Sequence, residues 1–376
     1  RPPIQRWFHR PRSNSAEAAA AAEGNMEMLE EGQGCSMRPT SVAILPSAGI
    51  GHLNPLLEFA RRLVSVHGVR ATLFVITTQA SPRQRDLLAD PTLPAGLRFV
   101  YLTPVDVSGG IPPDARAVTR ISTIVRASLP SLREALTSEG AAGSSALVVD
   151  LFSTDAFDVA DELGLSKYLY FTTSAWLLTQ MMHLPALDRL VPGSYADFGE
   201  ELPVPGCRPV PTGDLVNPLQ HRENEEYAWF LYHASRYPMA RGILVNTWEG
   251  LEPASLRALR EEPDLVRVPT PPVFLVGPLT KPVASGRDRH QCLAWLDHQP
   301  AGTVLFVSFG SRGTLSTEQT TELALGLEQS GQRFLWVARR PTGRAGESLG
   351  AFLPSIAEDD SMGEHLPDGF LERTRE

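Results

Sequence analysis

The strongest constraint on the fold is a series of short apolar runs in which hydrophobic residues follow one another with little polar alternation. Such runs are typical of parallel strands that are covered on both faces. Helical segments separate them, for example at 115–137, 155–163 and 250–260. This order predicts a doubly wound α/β fold. The predicted strands are Ser41–Leu45, Arg70–Ile76, Leu97–Leu102, Ala146–Val149, Lys167–Phe171, Gly242–Val245 and Val273–Val276.

The first strand leads through a glycine turn into a helix. Pro46–Pro55 forms the turn, and the amphipathic segment Leu56–Val64 follows it. Glycines let backbone amides approach a ligand closely, and a helix N-terminus favours negative charge. A dinucleotide-binding fingerprint is excluded, because Asn54 stands where the third glycine is needed and no acidic residue closes the second strand.

His52 on this turn is a candidate catalytic base, and Asp150 is its candidate partner. Both residues follow or end predicted strands, and the carboxyl ends of parallel strands meet at one edge of a sheet. The aspartate would hold one imidazole tautomer, so that the other nitrogen deprotonates a hydroxyl group. Two alternatives stay open: His52 caps the helix, or Asp150 caps the next helix. Asp155 and Asp158 are rival carboxylates.

A second β-α unit starts afresh near residue 303. A predicted strand over 303–309 leads into a glycine turn over 310–314, and Ser316 with Gln319 predicts a capping-box start to a helix that ends at Gln329. Arg333–Val337 is the next predicted strand. The turn suits a diphosphate, although an ordinary turn explains it equally well. Two strands bury too little to stand alone, so this domain looks unfinished.

Composition excludes several classes of protein. The net charge of −9 argues against a general nucleic-acid binder. The three cysteines are far apart and lack zinc-site spacing, which predicts no metal and a reduced, cytoplasmic protein. No apolar run reaches the ~18 residues of a membrane span. The remaining histidines singled out show no metal spacing and are interpreted as surface or capping residues: His183, His221, His233, His290 and His298.

The chain divides into four predicted parts. Residues 1–37 read as a disordered leader, with a transit peptide as the alternative and with Met26 or Met37 as a possible start. Residues 38–265 form an N-terminal, Rossmann-like, acceptor-binding domain. A proline-rich linker follows over 266–285, and residues 286–376 form a partial C-terminal, donor-binding domain.

Several segments, taken in order, resemble the plant family of UDP-dependent glycosyltransferases that act on small molecules. The resemblance runs from about Val42 to Glu376, and Asp150–Asp158 is similar to the hydroquinone (arbutin) glucosyltransferase branch. It implies the GT-B fold, with two Rossmann-like domains of which the second is incomplete here. The matching segments are Leu45–Pro55, Leu147–Phe152, Val245–Glu252, Val276–Leu279, Cys292–Asp297 and Val307–Ser311.

The resemblance implies an inverting, metal-independent transfer of a sugar from a UDP-sugar to an acceptor hydroxyl. UDP-glucose is then a co-substrate rather than a cofactor, and a small phenol is the expected acceptor. By position, His52 matches the family's base and Asp150 its partner. The remaining assignments are Ser311 and Gly310 for donor phosphate, Thr173 or Ser174 for the sugar, and Ile50 and Phe152 for the acceptor.

The chain also departs from the family. Ala48 stands where the family commonly has proline, and Arg312 stands where it commonly has glycine. In the family, a long donor-binding signature begins shortly after a segment like Leu366–Thr374. We therefore expect a chain that is impaired because this signature is missing. The alternatives are a catalytically inactive module that binds a small molecule or a partner, and an incomplete gene model of an intact enzyme.

Overall fold

The computed structural model of the chain describes residues 41–112, 115–138, 143–191, 193–195, 201–261, 270–279, 291–310, 315–341 and 361–375. The strands in chain order are β1 Ser41–Leu45, β2 Arg70–Val75, β3 Leu97–Tyr101, β4 Ala146–Asp150, β5 Ser166–Phe171, β6 Glu201–Leu202, β7 Val210–Pro211, β8 Gly242–Val245, β9 Val273–Leu275, β10 Val304–Val307 and β11 Arg333–Trp336.

The α-helices are α1 Ile50–His67, α2 Pro82–Leu88, α3 Ala117–Thr137, α4 Ala156–Glu162, α5 Ala175–Leu190, α6 Asn217–Gln220, α7 Glu225–Arg236, α8 Pro253–Glu261, α9 Gln291–Asp297, α10 Thr317–Gln329 and α11 Phe370–Arg373. Short 3-10 turns occupy Thr212–Asp214, Tyr237–Met239 and Ser361–His365.

Seven strands form one parallel sheet in the order β3-β2-β1-β4-β5-β8-β9. Alternate residues of β1 belong to two different hydrophobic clusters. Ala43 and Leu45 pack into one cluster, and Ile44 packs into the other. Leu56 of α1 belongs to the cluster around Ile44, and Ile124 of α3 belongs to the other. Both faces of the sheet are therefore covered, as the uninterrupted apolar runs predicted.

The remaining strands form two small sheets. β10 and β11 pair in parallel, with Phe306 opposite Leu335, and β6 and β7 pair antiparallel. The predicted capping box of α10 is present, since the Ser316 side chain accepts from the Gln319 amide and the Gln319 side chain accepts from the Ser316 amide. Three residues of α10 are buried, namely Thr320, Ala324 and Leu327.

One prediction about side chains is wrong. His183 and His233 are buried rather than on the surface, and His233 has no exposed area. His298 is exposed and His221 is partly exposed, whereas His290 lies outside the described residues. The predicted leader over 1–37 and half of the predicted linker, 266–269 and 280–285, also lie outside them, so the four domain boundaries stay predictions.

Candidate active site

The carboxyl ends of β1 and β4 lie side by side, because these strands pair in parallel with Leu45 opposite Val149. The loops that follow them therefore meet at one edge of the sheet. His52 belongs to the first turn of α1, and Asp150 is the last residue of β4. The Nδ1 atom of His52 lies 2.8 Å from Oδ2 of Asp150. The structure thus brings together the predicted base and its predicted partner.

Helix α1 begins earlier than predicted. Its N-cap residue is Gly49, whose φ of 106° is a conformation that L side chains rarely adopt. Pro55, which we placed before the helix, lies inside it. The interpretation of His52 as the helix cap is therefore wrong, and its ring faces Asp150 instead.

Both oxygens of the Asp150 carboxylate are engaged. Besides facing His52, Oδ2 accepts a hydrogen bond from the Ser47 amide at 3.0 Å. Oδ1 accepts from the Ser47 hydroxyl and from the Phe152 amide, the latter at 3.0 Å. The Asp150 side chain has no exposed area. It does not cap α4, whose N-cap residue is Asp155, so that alternative is wrong.

The two rival carboxylates have other partners. Oδ1 of Asp155 accepts from Arg126 at 2.9 Å and from the Tyr232 hydroxyl at 3.0 Å. Oδ1 of Asp158 accepts from Arg236 at 2.7 Å. These contacts hold both carboxylates in ion pairs, which leaves Asp150 as the carboxylate that faces His52.

The surroundings of Asp150 favour its ionised form. Burial alone would raise the pKa of this carboxyl, because desolvation disfavours charge. The nearby His52 ring and the hydrogen bonds from Ser47 act in the opposite direction, and the net effect is a lowered pKa. An ionised Asp150 holds the imidazole proton on Nδ1, which leaves Nε2 as an acceptor. This arrangement can take a proton from a hydroxyl group.

One aromatic ring, that of Phe152, lies against His52. The Phe152 ring meets His52 edge-on, with ring centroids 5.6 Å apart, and also contacts Phe230 and His233. Phe152 is buried, whereas Ile50 at the start of α1 is partly exposed. Phe152 therefore lies beside His52, and Ile50 belongs to the same helical turn; the assignment of both to an acceptor stays a prediction.

His233 is a buried titratable residue that the sequence analysis misplaced. Its Nε2 lies 3.0 Å from the Ser122 hydroxyl and its Nδ1 lies 2.7 Å from the Thr154 hydroxyl. Burial lowers the pKa of His233 to about 4, against a smaller opposing effect of Asp155. The signal that predicts its burial is helical spacing, because Phe230 stands one turn earlier on the buried face of α7.

The loop after β5 is fixed by hydrogen bonds at the start of α5. The Ser174 hydroxyl accepts from the Leu177 amide at 3.2 Å. The Glu252 carboxylate accepts from the first two backbone amides of α5 at 2.9 and 3.0 Å. Because β5 neighbours β4, Thr173 and Ser174 lie at the same edge of the sheet as Asp150. Contact with a sugar stays a prediction for both.

The predicted phosphate turn is described only at its first residue. Gly310 has a φ of +78° and an exposed backbone, with open space where a Cβ would stand. Its conformation therefore requires glycine. Ser311 lies outside the described residues, and its role in binding the donor stays a prediction.

The ranges that the structure describes contain neither a metal-binding cluster nor a helix that could cross a membrane. Within them, no group of three or more histidine, cysteine, aspartate or glutamate side chains is placed to hold a metal ion. No helix within those ranges has the length and apolar character needed to cross a membrane.

The sequence and the fold are similar to those of known proteins, although no family model matches the chain. UDP-glycosyltransferase 72B1 of Arabidopsis thaliana is 46% identical over 339 residues, which cover 89% of this chain and 68% of that protein. Hydroquinone glucosyltransferase of Rauvolfia serpentina is 45% identical over 336 residues, covering 89% and 70%. The structure of Phytolacca americana UGT2 with UDP-2fluoro-glucose and pterostilbene matches with a TM-score of 0.75 and 40% identity, covering 90% and 70%.

Proposed function

The chain belongs to the plant UDP-glycosyltransferase family, and we propose that His52 and Asp150 transfer glucose from UDP-glucose to a hydroxyl of a small phenol. The observation that carries this proposal is the 2.8 Å approach of His52 Nδ1 to the buried Asp150 carboxylate. The choice of substrates is supported by the relative that is named for hydroquinone and by the neighbour that holds a UDP-sugar with pterostilbene.

The proposed reaction is a single displacement. Nε2 of His52 takes the proton of the acceptor hydroxyl, and the freed oxygen electron pair attacks the anomeric carbon of glucose. The bond from that carbon to the UDP oxygen breaks, and UDP leaves with the electron pair. Because attack and departure occur on opposite faces, the anomeric configuration inverts. Asp150 stabilises the imidazolium that forms on His52.

The substrates are assigned to two sides of the site. Phe152, which contacts His52, and Ile50, in the same helical turn as His52, are proposed to contact the acceptor, and the aromatic surroundings of Phe152 support a ring-bearing acceptor. Gly310 and Ser311 are proposed to contact the donor phosphates. Thr173 or Ser174 is proposed to contact the sugar, which their place at the edge of the sheet beside Asp150 supports.

The setting of the reaction is also proposed. UDP-glucose is a co-substrate, with no resident cofactor or metal, and nucleic acid is not a partner, in keeping with the net charge of −9. The three widely separated cysteines support a reducing, cytoplasmic location.

The test is product formation from UDP-glucose and hydroquinone, followed to completion by mass spectrometry. His52→Gln is expected to abolish the glucoside, and Asp150→Asn to reduce its rate by about 10⁴-fold, as for the aspartate of a catalytic triad. The matched control is Ser128→Ala, which removes a buried hydroxyl that bonds the Ile124 carbonyl inside α3. Undiminished product from folded His52→Gln would refute the proposal.

We further propose that a polypeptide of these 376 residues is slow by itself, because it covers 68 and 70% of the two relatives. UDP release is expected to be far slower than from a full-length relative under the same conditions. An equal rate would contradict this proposal. Acceptor binding that survives His52→Gln, with no product from any variant, would favour a non-catalytic binding module.

A further inference from the structure

A chain of buried hydroxyl groups continues behind Asp150. The Ser47 hydroxyl donates to Oδ1 of Asp150, and the Ser153 hydroxyl lies 2.7 Å from the Ser47 hydroxyl. Ser47 is 3% exposed, and neither Asp150 nor Ser153 has any exposed area. These groups are shielded from water, so each hydrogen bond matters more than it would on the surface.

The direction of the bonds follows from the number of protons. An ionised carboxylate only accepts, so the one proton of the Ser47 hydroxyl points to Asp150. The Ser47 oxygen then accepts from Ser153, and Ser153 is the donor at the end of the chain. The order is therefore Ser153 to Ser47 to Asp150, with Nδ1 of His52 facing the same carboxylate from the other side.

Ser47 contacts both carboxylate oxygens. Its amide donates to Oδ2 at 3.0 Å and its hydroxyl donates to Oδ1. Two donors from one residue fix the rotation of the carboxylate plane, and this rotation decides where Oδ2 stands relative to Nδ1 of His52. Removing the hydroxyl leaves Oδ1 with the Phe152 amide as its described donor.

We propose that Ser47 is a positioning residue for the base: supported by Ser153, it fixes the Asp150 carboxylate so that this carboxylate selects the Nδ1-protonated tautomer of His52. The inference rests on the proposed function and deepens it. Ser47 is buried behind Asp150, so it acts through that residue and not on the substrate. Its loss is expected to lower kcat by about tenfold to a hundredfold, the worth of one hydrogen bond to a charged group, without changing the acceptor KM.

The decisive experiment reads the tautomer directly. In protein labelled with ¹⁵N-histidine, the two ring nitrogens of His52 are identified by their loss in His52→Gln. The native protein is expected to show a protonated Nδ1 and an unprotonated Nε2. Ser47→Ala is expected to shift both nitrogens towards averaged values, because the carboxylate no longer selects one tautomer. Ser47→Thr keeps the hydroxyl and is expected to keep the native pattern.

The controls separate this inference from the proposed function. Ser128→Ala is expected to leave the His52 signals unchanged. A native protein with no preference for the Nδ1-protonated form would refute the base assignment and the inference with it. A native preference that folded Ser47→Ala retains would refute the inference alone. If Ser47→Ala does not fold, Ser153→Ala decides: a smaller shift in the same direction supports the inference, and unchanged signals overturn it.

Discussion

The seven-stranded sheet and the β10–β11 pair begin with the same sequence pattern but reach very different degrees of burial. Leu73 in β2 has no exposed area, whereas Leu305 in β10 is 50% exposed and Phe306 is 64% exposed. Both regions have a strand, a glycine turn and a helix. An apolar run in the sequence indicates that a strand has to be buried on both faces. Whether the strand is buried depends on the neighbouring strands and helices that pack against it.

The largest expected effect comes from making the same substitution, leucine to alanine, in both sheets. Leu73→Ala is expected to lower the free energy of unfolding by about 2–5 kcal/mol, because it opens a cavity in a packed core. Leu305→Ala is expected to lower it by less than about 1 kcal/mol, since half of the side chain is already in water. Urea denaturation measures both. Equal losses would show that β10 is covered in solution.

Helix capping gives a second comparison, with smaller effects. Glu252→Ala removes the carboxylate that accepts from two amides at the start of α5, with an expected loss of about 2 kcal/mol. Ser316→Ala removes the cap of α10, with an expected loss of about 1 kcal/mol. Thermal unfolding at several wavelengths measures both. A larger loss for Ser316→Ala would reverse the ranking of the two regions.

The last prediction is a pH dependence of the unfolding free energy that arises from the buried His233. The folded-state pKa of His233 is about 4, below the ordinary value of 6.5, so the unfolded chain binds a proton first as the pH falls. The contribution of the buried, neutral His233 to the free energy of unfolding is complete above pH 6.5 and declines towards pH 4. Between pH 6.5 and 5.5 we expect a loss of about 1 kcal/mol.

This pH dependence has a direct control. His233→Gln is expected to flatten the decline in unfolding free energy between pH 6.5 and 5.5. His298→Gln, at an exposed histidine, is expected to leave the decline as it is. If folded His233→Gln shows the same decline in unfolding free energy, the decline arises from titratable groups other than His233.

Much of the fold was predictable because continuous apolar runs specify buried parallel strands. All seven strands of the large sheet occur where they were predicted, and Gly242–Val245 matches at both ends. The α/β GT-B fold is confirmed by the likeness to the Phytolacca americana enzyme. The start of α1 was misplaced because Pro55 looked like a boundary, although the helix includes it.

The site was predictable only in part. Strand order places His52 beside Asp150, and this contact is present. The buried state of His233 depends on hydroxyl groups of Ser122 and Thr154, which come from elements distant in the sequence. Ser47 was missed because a serine beside a glycine turn has no distinctive pattern. Its contact with Asp150 arises from strand pairing rather than from local sequence.

The pairing of β1 with β4 also sets when the site forms during synthesis. Ser47 and Asp150 are 103 residues apart. A ribosome that adds roughly 5–20 residues per second needs about 5–20 s to travel from one to the other. For most of that interval His52 has left the peptidyl-transferase centre without the Asp150 carboxylate that it faces in the folded chain. His52 and Asp150 therefore meet only when β1 pairs with β4, so that formation of the proposed base and closure of the middle of the sheet become a single event.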